Sequence, residues 1–277
     1  MTRQNIMYSK EEIEEQLEEF HKRIKEDPKL PNNLDKDLLI RYLKLYSYRM
    51  HKAQAMLTRN IDIRSRYPWF FTQRDPHDPA MQKIIDTFDM VLLQQHTPEN
   101  YKVCIARLVH SDHSEIVLND LTKMYLMTCD VRFHLPIADY RKMESGEIII
   151  FDMKNFTLKH LTRAVVSTLK LISKYLQTAH PVRLVQFHVI NCTPIVNRAL
   201  LFIRPFIYAK LYNALHFHKV GHLENLYNYV PREMLPSDYG GSAPSMSELK
   251  KYWYGVLETY RPFVMNDDYW KPAENNV

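Results

Sequence analysis

Glycine is scarce: the 277-residue chain contains five. Loops that cradle phosphate groups on several backbone N–H groups need closely spaced glycines, so a nucleotide site of that kind is disfavoured. The chain also lacks a G-x-S-x-G nucleophile elbow and an H-E-x-x-H pair, which removes the usual signatures of serine hydrolases and zinc proteases. Three cysteines, Cys104, Cys129 and Cys192, are too few and too scattered for a disulfide framework and read as buried thiols. No run of about 18 uncharged apolar residues is present, so no segment is expected to span a bilayer as a helix. The N-terminal residues lead into an acidic stretch without an apolar export core. A reducing, cytoplasmic setting is the expectation.

Among the 13 histidines, His110 with His113 and His216 with His218 are spaced for metal ligation. Neither pair has a third and fourth ligand at suitable spacing, and no metal is expected. Lys and Arg are dispersed along the chain, without a nucleic-acid module, so no nucleic-acid partner is expected.

What is present is ordinary globular composition, 45% apolar and 25% charged, with unusually many aromatics. The 18 Tyr, 12 Phe and 13 Met residues are the types that fill cores and line adaptable apolar cavities. A net charge of +5 is mildly compatible with anionic surfaces.

Periodicity divides the chain into a helical first third and an α/β remainder, with the boundary near residue 95. Ser9 and Glu12 form a capping-box pattern ahead of Ile13, Leu17, Phe20 and Ile24 at helical spacing. Asp35 is placed to cap a second helix carrying Leu38, Leu39, Tyr42 and Leu43, and a third helix is predicted over residues 51–66. Asp78-Pro79 starts a helix running through Phe88. Beyond it, residues 101–109 alternate like a strand and residues 118–143 read as a long helix. Strand 147–151, helix 160–177, strand 183–190 and helix 194–211 follow, a succession that implies parallel pairing with right-handed crossovers. Residues 245–260 read as a last helix.

The segment 146–241 carries a set of motifs in order. Gly146-Glu147-Ile148-Ile149-Ile150-Phe151-Asp152, Pro181-Val182-Arg183 with Phe187-His188-Val189-Ile190-Asn191, Ile203-Arg204-Pro205-Phe206-Ile207, Lys210-Leu211 and Leu235-Pro236-Ser237-Asp238-Tyr239-Gly240-Gly241 resemble successive motifs of the CRAL-TRIO lipid-binding family. Residues 37–44 resemble that family's N-terminal helical segment. Within the family the chain is more similar to the α-tocopherol transfer and retinaldehyde-binding carriers than to the yeast phosphatidylinositol-transfer proteins. The resemblance implies an α/β fold: a helical N-terminal unit (residues 1–95) packed on a CRAL-TRIO domain (96–277) with a mostly parallel sheet, flanking helices and an apolar gate helix.

The residues stand beside that resemblance as follows. Phe187 and Val189 share one strand face, as do Ile149 and Phe151. Helix 194–211 presents Val196, Ala199, Leu200, Ile203 and Ile207 as an apolar stripe. By itself such a stripe reads as core packing; the resemblance makes it a mobile gate over a bound lipid. The resemblance also places ligand contacts at Ile172, Tyr175 and Leu176, and at Leu126, Cys129 and Phe133. Cys129 and Phe133 replace small hydroxyl residues of the tocopherol carriers, which implies a drier pocket end. Two basic positions of the family's phosphoinositide site are met by Arg183 and Lys210, which by themselves read equally as surface charge. Other such positions carry Tyr46, Ala55 and Ala214, with Arg41 and Lys44 nearby.

The resemblance thus implies a non-enzymatic carrier with no cofactor, binding one hydrophobic lipid, α-tocopherol first, and exchanging it at membranes with which it associates transiently. Phosphatidylinositol phosphates are the implied membrane partner. A retinoid or carotenoid is the alternative cargo. A lipid-sensing interaction module without transport, with the acidic helix 11–26 as its partner surface, is the alternative from another class.

Overall fold

The structure, a computed structural model, describes residues 8–110, 118–157, 163–194, 205, 207 and 209–272. Helix α1 (Lys10–Lys25) starts on a complete capping box, with Glu12 N–H donating to Ser9 Oγ at 3.1 Å and Ser9 N–H donating to Glu12 Oε2 at 2.7 Å. It buries Ile13, Leu17, Phe20 and Ile24 against α2 (Lys36–Leu45). Asp35 occupies the cap position of α2 but makes no capping bond. Its carboxylate instead pairs with His134 and accepts from the Tyr269 hydroxyl. A partly buried carboxylate gains more from these two charged or hydroxyl donors than from a backbone amide. Helix α3 (Met50–Arg66) and helix α4 (Pro79–Thr87) complete the N-terminal layer.

Two boundaries differ from the sequence reading. Helix α4 ends at Thr87, and Phe88 opens strand β1 (Phe88–His96), so the sheet takes in residues assigned to the helical side of residue 95. The run Phe88 to Leu93 is buried throughout, and its apolar stretch from Met90 to Leu93 carries no period that distinguishes helix from strand. Helix α5 (Leu118–His134) stops well before residue 143. Pro136 lacks an N–H and disfavours helical geometry at Leu135, and a short 3-10 turn over Tyr140–Lys142 follows.

Strand β1 pairs antiparallel with β2 (Tyr101–Leu108). From there β2, β3 (Gly146–Asp152), β4 (Leu184–Cys192) and β5 (Leu215–Lys219) run parallel in that order. The crossovers are α5 and α6 (Arg163–Thr178); α7 (Ala209–Tyr212) leads into β5. Helix α8 (Met246–Thr259) starts on a second capping box, at Ser245 and Glu248, and packs on β1, where Trp253 Nε1–H donates to the Leu92 carbonyl at 2.9 Å. A short helix α9 (Arg261–Val264) ends the order of α-helices. Between β5 and α8 the Leu235–Gly241 motif closes a tight turn. Gly240 has φ +75°, and a Cβ on Gly241 would lie 1.8 Å from the Leu235 carbonyl oxygen, so each glycine is required for a different reason.

Buried charge joins these layers. Asp130 on α5 accepts from Arg64 of α3 at 2.9 Å and from Arg74 at 2.7 Å, with all three side chains almost fully buried. Burial alone would raise the Asp130 carboxyl, but the two guanidinium charges outweigh it and hold the group below its usual value. Two residues along, Arg132 pairs with Glu144 at 2.7 Å and with Glu147 at the start of β3. Removing one member of such a buried set leaves uncompensated charge. Asp130→Asn is expected to lower unfolding free energy by about 3–5 kcal/mol; a urea midpoint close to wild type would show that the network is not structural.

His180 sits wholly buried among the rings of Tyr125, Phe133 and Tyr175, and neither ring nitrogen has a partner among the described residues. Burial lowers its imidazole to about 4. An unfolded imidazole titrates near about 6.5, so between those values the unfolded chain binds the extra proton. This contribution is complete above about pH 6.5 and falls away toward pH 4, by about 3 kcal/mol for this one group. His180→Phe should flatten the slope of stability between pH 7 and 5 in denaturant titrations. An unaltered slope assigns it to other groups.

Candidate functional site

The parallel register aligns side chains in rows across the sheet. Met90 pairs with Ala106, Ala106 with Phe151, Phe151 with Val189 and Val189 with Phe217, so one row crosses all five strands. Every member of that row lines a single apolar cavity. The next row, Ile149, Phe187 and Leu215, lines it as well. The roof is formed by the first turns of α5, the middle of α6 and residues Ile207, Leu211 and Tyr212. The empty space between these side chains, open solvent at its mouth included, is about 1360 Å³.

The polar groups are few. Among the described residues no charged side chain lines the cavity, and Thr122, Tyr125, Ser173 and Tyr212 supply its hydroxyls. A hydrogen bond from Thr168 to Asn119 sets α6 beside α5; Thr122 and Tyr125 line the cavity from α5 and Ser173 from α6. The Tyr125 hydroxyl donates to Glu147 Oε1 at 2.8 Å, and burial raises its phenol well above its ordinary value, so it stays neutral. Such a site matches a ligand that is almost wholly hydrocarbon and carries one neutral polar end.

Of the residues singled out from sequence, Ile149, Phe151, Ile172, Leu176, Phe187, Val189 and Ile207 line this cavity together. Leu126, Cys129, Phe133 and Tyr175 do not. Leu126 is buried in the core, and Phe133 packs between His180 and the guanidinium groups of Arg41 and Arg132. Tyr175 turns to the N-terminal layer, where its hydroxyl accepts from Asn60 at 3.1 Å. The physical reason is the polar network below Tyr125: Glu147 and Arg132 occupy the space where a longer cavity would continue, and Cys129 lies beside them. Leu200 and Ile203 lie outside the described residues, as does the side chain of Lys210. Phe88 and Met90 line the cavity from strand β1, where the sequence pattern predicts a helix ending at Phe88 and no element at Met90. Thr122, Tyr125 and Ser173 carried only the signal of helical position.

Cys104, Cys129 and Cys192 are buried thiols whose titration is raised by burial, to about 11 for Cys192. On the opposite sheet face His188 joins His216 and His218, with His188 Nδ1 2.9 Å from His218 Nε2 and the His188 and His216 rings stacked at 4.8 Å. Among the described residues no group of three or more His, Cys, Asp or Glu side chains has the arrangement to hold a metal ion. No helix among them is long and apolar enough to cross a membrane.

A second hollow lies at the N-terminal ends of β3 and β4. It brings exposed Arg183 together with Arg41, Lys44 and Arg141, and with Tyr8 and Tyr48. Arg41 is tied to Glu144, Lys44 donates to the Met143 carbonyl, and Arg141 pairs with Asp139 at 2.9 Å. Tyr46, Ala55 and Ala214 do not line it.

Residues 89–241 match the CRAL/TRIO domain, and residues 9–81 match the Pinta-like UBA domain. The chain is 25% identical over 236 residues to the human (Homo sapiens) alpha-tocopherol transfer protein-like, covering 84% of this chain and 66% of that protein. It is 25% identical over 211 residues to Clavesin-1 of Rattus norvegicus, covering 76% and 58%, and 22% identical over 243 residues to Clavesin-2 of Homo sapiens, covering 88% and 70%. The chain thus spans about two thirds of the length of these relatives. Among solved structures, the crystal structure of Sfh5 superimposes with a TM-score of 0.51 at 14% identity, over 92% of this chain and 98% of that one.

Filling the cavity tests its role. Ile172→Trp places an indole in open space, so its melting temperature should stay within a few degrees of wild type while affinity for an apolar fluorescent probe falls at least about tenfold. Unchanged probe affinity would place binding elsewhere.

Proposed function

The chain belongs to the CRAL/TRIO domain family, and from that premise we propose that it carries one hydrophobic lipid in the cavity between the sheet and α5–α6 and exchanges it at membranes. The observation that carries this reading is the row of apolar side chains from all five strands beneath a roof whose described residues carry no charge. Each buried CH₂ contributes about 0.8 kcal/mol, so a chain of roughly fifteen carbons desorbs from a bilayer very slowly by itself. A cavity that replaces the bilayer's apolar surroundings lowers that barrier without covalent chemistry.

The cargo we favour is α-tocopherol, which pairs a long hydrocarbon tail with one hydroxyl. The hydroxyls of Thr122, Tyr125 and Ser173 on the cavity wall suit that single polar end, and similarity to an alpha-tocopherol transfer protein-like relative supports the choice. A retinoid has the same design, one polar end on an isoprenoid chain, and is the second reading. We assign the gate to the segment containing Ile207, a residue that lines the cavity. The hollow around Arg183 is the place for an anionic headgroup such as a phosphatidylinositol phosphate, with Lys44 and Arg141 as its further cations and Lys210 as the family's other basic position. Glu144 in the same hollow opposes an anion, so the affinity expected there is modest.

Protein isolated from its native source should yield, on organic extraction and mass spectrometry, about one isoprenoid-type lipid per chain, and labelled α-tocopherol should move between vesicles faster in its presence. Binding without faster transfer would assign the chain to lipid sensing instead. Failure to bind any of a panel of tocopherols, retinoids and phospholipids would sink the carrier reading. Arg183→Ala is expected to weaken binding to phosphoinositide vesicles about fivefold, as for loss of one cation near an anionic surface, without altering cargo uptake from solution.

A further inference from the structure

Helix α6 has two occupied faces. Leu169, Ile172, Ser173 and Leu176 face the lipid cavity, whereas Lys170, Leu171 and Lys174 face a separate groove on the molecular surface. The groove's far wall is Tyr67, Trp69 and Phe70, and its end is Pro205 and Ile207. Ile207 lines the cavity as well, so groove and cavity adjoin through one residue and one helix.

Trp69 is the unusual member. It is 55% exposed, against 7% for Trp253 and 9% for Trp270. Its position is nevertheless fixed. Phe70 and Phe71 on either side of the turn's end are buried at 2% and 4%. The turn closes through hydrogen bonds from Phe71 N–H and Thr72 N–H to the Pro68 carbonyl at 2.8 and 2.9 Å. The Tyr67 ring meets the indole edge-on at 5.4 Å. A large apolar ring held outward in this way forgoes burial that a core position would provide.

The surroundings indicate what covers it. Lys170 and Lys174 are exposed one turn apart on α6, and no acidic side chain lines the groove among the described residues. An indole with its apolar body and polar N–H partitions to the boundary between headgroups and hydrocarbon, and cations beside it are drawn to anionic lipid. A protein partner would require a complementary acidic and aromatic-binding surface, for which nothing in this groove selects.

We propose that Trp69 is a membrane anchor, and that the face formed by Trp69, Leu171, Lys170, Lys174 and Pro205 seats on an anionic phospholipid bilayer. The purpose of the docking rests on the carrier reading above, because it sets the wall shared with the cavity against the lipid source. The seating itself is measurable without any cargo.

The full chain is mixed with vesicles of phosphatidylcholine, or of phosphatidylcholine with phosphatidylserine, free of phosphoinositide. Tryptophan emission should shift to the blue and be quenched by brominated acyl chains with the anionic vesicles, and far less with the neutral ones. In co-sedimentation, Trp69→Ala should bind those vesicles about tenfold more weakly, and Lys170→Ala with Lys174→Ala about thirtyfold more weakly. Circular dichroism confirms that each variant is folded. Cargo uptake from solution at the wild-type level in these variants separates this proposal from the carrier reading, which fails if the wild type takes up no lipid. Wild-type emission that stays constant during co-sedimentation, or variants that sediment like the wild type, overturns the anchor. So does a blue shift that depends on protein concentration without vesicles, which would assign the groove to a second copy of the chain.

Discussion

The carboxylate of Asp130, held between two guanidinium groups in the interior, is the constraint on which the rest of the arrangement depends. An ionised carboxylate in that position is tolerated only with charge partners in good geometry. Arg64 and Arg74 supply them, and Arg64 also lies under the Trp270 ring at 3.5 Å and near Phe71 at 4.5 Å. One anion therefore joins the third helix, the loop after it, the first crossover helix and the C-terminal segment. Arg132, two residues on, extends the same logic to Glu144 and to Glu147 in the sheet. The C-terminal half of α5 is immobilised by these charges. Its N-terminal half is thus free to face the cavity.

That division explains where the cavity ends. An apolar core closes around voids because side chains lose dispersion contacts across a gap. A polar network does not collapse so readily, since each member must keep its partners. Glu147, Arg132 and Tyr125 form a rigid floor at one end of the site, and the aromatic side chains above it pack against strands whose spacing is set by backbone hydrogen bonds. The hollow persists because both of its boundaries are fixed by interactions other than its own packing.

Much of this was readable before any coordinates. The capping residues Ser9 and Ser245 mark helix starts that the structure keeps. The ordered motifs from Gly146 to Gly241 placed β3, β4 and the closing turn, and alternation paired Ile149 with Phe151 and Phe187 with Val189 on one side of their respective strands. What could not be read were features that depend on distant partners. Strand β1 follows α4 without a glycine or proline to separate them, and its apolar stretch from Met90 to Leu93 has no periodicity of its own. Asp35 reads as a cap, yet its carboxylate answers to His134 and Tyr269, far away in sequence. Leu126 and Phe133 share the helical spacing expected of lining residues. Only the buried ion pairs show that the cavity stops short of them.

The row Met90, Ala106, Phe151, Val189 and Phe217 has a consequence for how such proteins diversify. Each strand contributes one side chain to the floor, while strand pairing is made entirely by backbone groups. Five positions can thus vary in size without altering the sheet's register. Small steps such as alanine to valine, or phenylalanine to leucine, remodel the contour one strand at a time. A lineage can in this way pass between ligands of different shape through intermediates that all remain folded.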